Sequence, residues 1–140
     1  RLVGGSWAPP PTTWGIENRT TTLRVINSST GATRLETRIC GADVNPYLGM
    51  AACLAAGLYG IREGLSLQET ETLGNAYEGS GTALPSNLGE AVAAMRNSEL
   101  AAQLFGAEFA DHFLRTREWE WRQYNQSVSD WEMRRYFELT

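Results

Sequence analysis

The chain has 140 residues, 42% of them hydrophobic, and 16 acidic against 12 basic side chains leave it at a net charge of −4. That length fits one domain with a modest core, and an acidic balance without a basic stripe excludes nucleic acid as a partner class. Two cysteines, Cys40 and Cys53, lack a neighbour at metal-ligand or redox spacing, so a reducing, cytoplasmic location is expected. His112 is the single histidine, and a zinc site or a Ser/His/Asp triad would have to be built on it.

The sequence begins at Arg1 without a charged stretch leading into an apolar run. It is therefore expected to lack a secretory signal and to be a piece of something longer. Residues 1–15 carry Gly4, Gly5, Pro9, Pro10, Pro11 and Gly15 around Trp7 and Trp14, the composition of an ordered irregular loop. The β-branched run TTTLRVI and the later RLETRIC, separated by the turn-rich NSSTGAT, predict an antiparallel hairpin. Alternation puts Leu35, Thr37 and Ile39 on one face of its second strand and Arg34, Glu36 and Arg38 on the other.

Asn45 followed by Pro46 predicts a helix start, since the Asn oxygen accepts from orphan amides and proline at the first position loses nothing. The helix should run to about Arg62 and stop before Gly64. Its uncharged stretch is too short for a bilayer, and Gly49, Ala52, Cys53, Ala56, Gly57 and Gly60 along it predict a buried helix that another backbone approaches closely. Residues 65–86 read as a polar surface excursion, with Tyr77 as a surface tyrosine. Asn87 with Glu90 starts a short helix, a second follows Ser98 and ends near Gly106, and a longer one covers roughly 107–125 with Phe109, Phe113, Trp121 and Tyr124 near one face. Ser129 and Glu132 form a capping box for a last helix. His112 reads as packed or half-exposed, and the tryptophans at 119, 121 and 131 as packing or subunit-contact residues. The sequons beginning at Asn18, Asn27 and Asn125 are expected to be incidental.

Arg1, Arg19, Arg24, Arg34 and Arg38 crowd the first 38 positions together with Glu17 and Glu36. Arginine is a planar, permanently charged fork suited to carboxylate and phosphate. The alternating strand 34–38 fits either a solvated sheet face or an anion and metal site, and pattern alone does not choose. No Walker or Rossmann glycine loop is present, which leaves a generic nucleotide-binding module poorly supported.

The series RLVGGSWAP, ENRTTTLRV, RLETR and NPYLGMAACLAAGLYGI resembles, in order and nearly in spacing over residues 1–64, the C-terminal half of the glutamine synthetase catalytic domain. The family pattern there is RLVPGYEAP, NRSASIRI, RIEVR and ANPYLAFAALLMAGLDGI. The tail segments HFLRTREWEWRQY and SDWEMRRYFEL are similar to the end of glutamine synthetase-like γ-glutamyl-amine or polyamine ligases. The resemblance implies an α+β fragment: a hairpin of the antiparallel active-site sheet (residues 1–44, with its loop), a buried helix (45–64), and an excursion with C-terminal helices (65–140).

The same resemblance implies ATP-dependent ligation of an amine or ammonia to the γ-carboxylate of glutamate through γ-glutamyl phosphate. In it Arg1 holds the glutamate carboxylate, Arg19 stabilises the transferring phosphoryl group, Arg24 and Arg34 contact the nucleotide phosphates, and Glu36 is a ligand of Mg²⁺ or Mn²⁺. Arg38 contacts glutamate and its acyl phosphate. Trp7 stands where the family carries a glutamate over the ammonia site; an indole cannot take a proton from ammonium but packs against an alkyl chain or faces a cation, which points to a primary amine or polyamine. Gly31 falls near a position where many members carry a nucleotide-contacting lysine. A homo-oligomeric ring without membrane contact is implied, and the fragment alone is expected to be inactive, with sheet edges that promote association. An ordinary ammonia-using glutamine synthetase and a non-catalytic structural relative are the alternatives.

Overall fold

The computed structural model describes residues 11–79 and 81–138. The chain divides into two compact units between Ser86 and Asn87.

The first unit carries three short strands, β1 (Trp14–Ile16), β2 (Leu23–Ile26) and β3 (Arg34–Thr37), in the order β1-β2-β3. β2 and β3 form the predicted antiparallel hairpin, with Arg24 opposite Glu36 and Val25 opposite Leu35. β1 lies in the stretch expected to be irregular, and it pairs with β2 in parallel, Gly15 opposite Arg24. Parallel neighbours ordinarily need a crossover of a dozen or more residues. Here residues 17–22 make the connection; it opens with Glu17 at φ 53° and returns through a turn held by the hydrogen bonds of Asn18, Thr20 and Thr21. The hydroxyls that follow then replace a hydrophobic connection. Thr21 and Thr22 are fully enclosed; the Thr21 hydroxyl donates to the Asn18 carbonyl at 2.8 Å, and the Thr22 hydroxyl donates to the Pro11 carbonyl. A buried polar turn is tolerable only when satisfied in this way.

Helix α1 spans Pro46–Arg62, as its signals require: Asn45 Oδ1 accepts from the amides of Tyr47 and Leu48 at 3.0 and 3.3 Å, and Gly64 just past its end takes φ 61°. The expectation that this helix is buried is not met within the described residues. Tyr47 and Ile61 are each 79% exposed, and among the described residues no other helix or strand of the unit packs extensively along α1. Its small-residue face has room for another backbone, but the described residues of the unit supply none.

The excursion after α1 is not a free surface loop. Its backbone returns to the outer edge of β1, where the Thr72 amide donates to the Trp14 carbonyl at 2.9 Å, and Ala76 is completely buried. Tyr77 is correspondingly half-buried rather than on the surface, with its hydroxyl enclosed. The unpredicted strand and the unpredicted tether are one event, since each supplies the other's hydrogen bonds.

The second unit is helical: α2 (Leu88–Arg96), α3 (Leu100–Phe105), α4 (Ala107–Gln126) and α5 (Asp130–Tyr136). α2 and α3 pack on α4. Trp121 lies so close over Gly89 that a Cβ there would sit 2.6 Å from the indole, and Arg96 closes the same contact by pairing with Glu118. Phe105, Phe109 and Phe113 follow each other at 6.0 Å between ring centres. His112, expected to be packed or half-exposed, faces solvent, as do Trp119 and Trp131; Trp121 packs. No helix among the described residues is long and apolar enough to cross a membrane.

Candidate active site

The opposed residues of β2 and β3 put Arg24 beside Glu36, and the two-residue period brings Arg38 to the same side. Arg24 Nη1 lies 3.3 Å from Glu36 Oε2, and Arg38 Nη1 lies 3.1 Å from Glu36 Oε1. Each carboxylate oxygen thus accepts from its own guanidinium. Both arginines are largely sheltered, with side chains 13% and 18% exposed. The hydrogen bond from Arg38 is the main cause holding the Glu36 carboxyl below its ordinary value of 4.5. The charges of Arg24 and Arg38 and the Arg24 hydrogen bond act with it, and partial burial opposes them. Glu36 is an anion at neutral pH.

Glu17 completes the cluster. Its carboxylate accepts from Arg24 Nη2 at 2.6 Å, so that Arg24 is held on both sides while its Nε stays buried without an acceptor. Sequence reading places Glu17 only near the arginines; its partnership with Arg24 crosses a parallel pairing that no residue period announces.

Arg19 stands apart from this cluster. It is exposed, and among the described residues it makes no hydrogen bond or ion pair. Its flanks explain how such a residue is held. Asn18 Nδ2 donates to the carbonyls of Thr72 and Gly74 at 3.0 and 2.8 Å, Asn18 Oδ1 accepts from the Thr20 amide and hydroxyl at 3.0 and 2.7 Å, and Thr20 Oγ1 accepts from the Ala76 amide at 2.9 Å. Asn18 and Thr20 therefore anchor the turn while Arg19 projects from it. The fully engaged Asn18 amide is unavailable as a glycan acceptor in this conformation.

Arg34 does not join the network; it is exposed and donates to the Ala32 carbonyl at 3.0 Å. Gly31 is in the open turn before β3, with free space where a side chain would stand. Arg1 and Trp7 lie outside the described residues.

A metal is testable against these groups. Among the described residues no set of three or more His, Cys, Asp and Glu side chains converges to hold one. Glu36 fits as a single hard oxygen ligand for Mg²⁺ or Mn²⁺, being ionised and half-exposed, and a metal there would take its other ligands from beyond the described residues.

Residues 1–136 match the family described as glutamine synthetase, catalytic domain. Among similar proteins, the chain is 46% identical to a type-1 glutamine synthetase of Dictyostelium discoideum over 99% of its own length and 27% of the other's. It is 43% identical to a glutamate–isopropylamine ligase of a Pseudomonas species (99% and 31%) and 42% identical to a γ-glutamylethanolamide synthetase of Streptomyces coelicolor (99% and 29%). Among solved structures it matches ligand-free GmaS with a TM-score of 0.80 at 33% identity, covering 95% of this chain and 31% of that one. An ADP complex of GmaS matches with a TM-score of 0.77 at 34% identity, covering 96% and 31%. The chain spans about three tenths of the length of these relatives. The matched length, the α+β fold and the ordered motifs together establish that the chain belongs to the glutamine synthetase catalytic-domain family.

Proposed function

We propose that the protein carrying this chain is an ATP-dependent ligase that joins an amine, or ammonia, to the γ-carboxylate of glutamate through γ-glutamyl phosphate. The observation that carries this reading is the ionised Glu36 bracketed by Arg24 and Arg38 on one sheltered sheet face. Phosphoryl transfer works by positioning and by spreading cationic charge around in-line oxygens, and this face has the charges to do so.

In this reading Arg24 and Arg34 hold nucleotide phosphate oxygens, and Arg19, without a partner among the described residues, meets the phosphoryl group in transit. Arg38 orients glutamate and its acyl phosphate, with Arg1 on the substrate carboxylate. Glu36 is one metal ligand. A bound divalent ion supplies Lewis-acid neutralisation of phosphate charge; the arginines named here direct and retain the anions. Trp7, by its match to the family's glutamate over the ammonia site, favours an alkylamine as the nucleophile. The chain forms the C-terminal portion of the catalytic domain, and the whole protein assembles into a cytoplasmic homo-oligomeric ring. The ammonia reading is kept as a second one because the glutamine synthetase relative is 46% identical, against 43% and 42% for the two amine ligases.

The test is ATP turnover by the full-length protein with glutamate and Mg²⁺, offering ammonia, ethylamine, isopropylamine and putrescine in parallel. Turnover preferring an alkylamine is expected. Turnover with ammonia alone would replace it with the second reading, and no turnover with any of them would make the protein a structural relative.

A further inference from the structure

Arg24 has two carboxylate partners, and they are unequal. Glu17 Oε2 lies 2.6 Å from Nη2, whereas Glu36 Oε2 lies 3.3 Å from Nη1. A carboxylate that both ligates a metal and neutralises an arginine must share its lone pairs between them. If Arg24 depended on Glu36 alone, the guanidinium would compete with the metal for one oxygen, and its uncompensated charge would repel the cation as well.

Glu17 removes that conflict, and its backbone shows that its placement is imposed. It is the one non-glycine residue with positive φ among the described residues, at 53°, a conformation that costs a residue of this type free energy unless its surroundings fix it. Those surroundings are present: the Glu17 amide donates to the Val25 carbonyl at 2.9 Å, and the preceding Ile16 amide donates to Glu71 Oε1 at 3.1 Å. The left-handed step turns the carboxylate back onto Arg24 from the β1 side, opposite the approach of Glu36 from β3.

We propose that Glu17 is a positioning residue of the phosphoryl-transfer site: it takes the shorter contact with the Arg24 guanidinium and offsets its charge, so that Arg24 holds Glu36 only loosely and Glu36 keeps a lone pair for the divalent metal. This rests on the reading of Glu36 as a metal ligand.

The experiment uses the full-length protein with Glu17→Gln, which keeps the shape and removes the charge; Glu17→Asn, which removes the charge but tolerates positive φ; and Glu17→Asp, which keeps the charge. Mn²⁺ affinity is read from the paramagnetic resonance of the free ion, metal-free ADP affinity by calorimetry, and folding by the thermal midpoint. Both neutral variants should bind Mn²⁺ about tenfold more weakly and metal-free ADP more tightly, because Arg24 is released, while Glu17→Asp should restore much of the Mn²⁺ affinity. Opposite movements of metal and nucleotide affinity are not what a loosened fold produces.

Unchanged Mn²⁺ affinity in both neutral variants would overturn this inference alone. So would parallel losses of Mn²⁺ and ADP binding that follow a falling thermal midpoint in both. A wild-type protein that binds no Mn²⁺ would overturn the reading of Glu36 and this inference with it.

Discussion

Asn18 shows what the NRT motif requires physically. Its arginine is the residue that a chemical reading selects, yet the asparagine makes the bonds, two to carbonyls from a distant segment and two to Thr20. Asn18→Ala would leave these partners without replacements and should destabilise the protein by about 2–3 kcal/mol, lowering the thermal midpoint, with a larger fall in kcat than in substrate affinity because Arg19 is no longer aimed. Glu36 gives a pH signature of definite sign. Its carboxyl titrates below 4.5 in the folded state, so its ion pairs contribute fully above the unfolded carboxylate value and are lost as pH falls through the lowered folded one. The stability difference between wild type and Glu36→Gln, followed by denaturant unfolding, should therefore narrow steadily as pH drops from 5 towards 3 (roughly the carboxylate range). The grouping of Arg24, Glu36 and Arg38 was legible from residue types, the hairpin and alternation, whereas Arg34, expected on the same face, stays outside it. Glu17 was not legible, because its function depends on one dihedral angle.

Helix ends were the most readable elements. The caps at Asn45, Asn87 and Ser129 and the stop at Gly64 are local chemistry, decided within a few residues, and the structure places all of them where the sequence does. β1 was unreadable for the opposite reason: three residues have no period of their own, and their strand character comes from β2 on one side and Thr72 on the other. Two tests belong here. Gly89→Ala drives a methyl group into the Trp121 indole, so it should cost about 1–3 kcal/mol, and pairing it with Trp121→Leu should recover part of that in a double-mutant cycle. In α5, the Glu132 carboxylate accepts from the Ser129 amide at 2.8 Å, and the Ser129 hydroxyl in turn accepts from the Glu132 amide at 3.2 Å. The amide bond, followed by the bond from the Ser129 hydroxyl, holds the Glu132 carboxyl below 4.5. The box should open as pH falls through that lowered value, and Ser129→Ala should reduce the helical signal of a synthetic 127–138 peptide and flatten its acid dependence.

At the scale of the molecule, the apolar content and the burial disagree. With 42% hydrophobic residues, the described part still buries, besides Pro11, only Ile26, Ala76 and Ala110 among its apolar side chains. Leu54, Leu58 and Ile61 of α1 remain exposed, and among the described residues β3 has a strand partner on one side only. The helix composition was legible as that of a buried element, but what buries it is a tertiary fact that a single chain segment does not encode. Produced alone, the 140-residue chain should self-associate through this surface and the open β3 edge; light scattering should show species well above 15.5 kDa, and Leu54→Lys with Leu58→Lys should reduce them.

The tether between the 17–22 turn and residues 72–76 has an evolutionary reading as well. The turn that carries Arg19 is held by carbonyls some fifty residues further along the chain, so under the role proposed for Arg19 the segment after α1 would work with it and not as a spacer. Chimeras that exchange residues 65–79 between relatives would move the setting of Arg19 with them, and a graft of the NRT turn without that segment would carry the arginine but lose its aim.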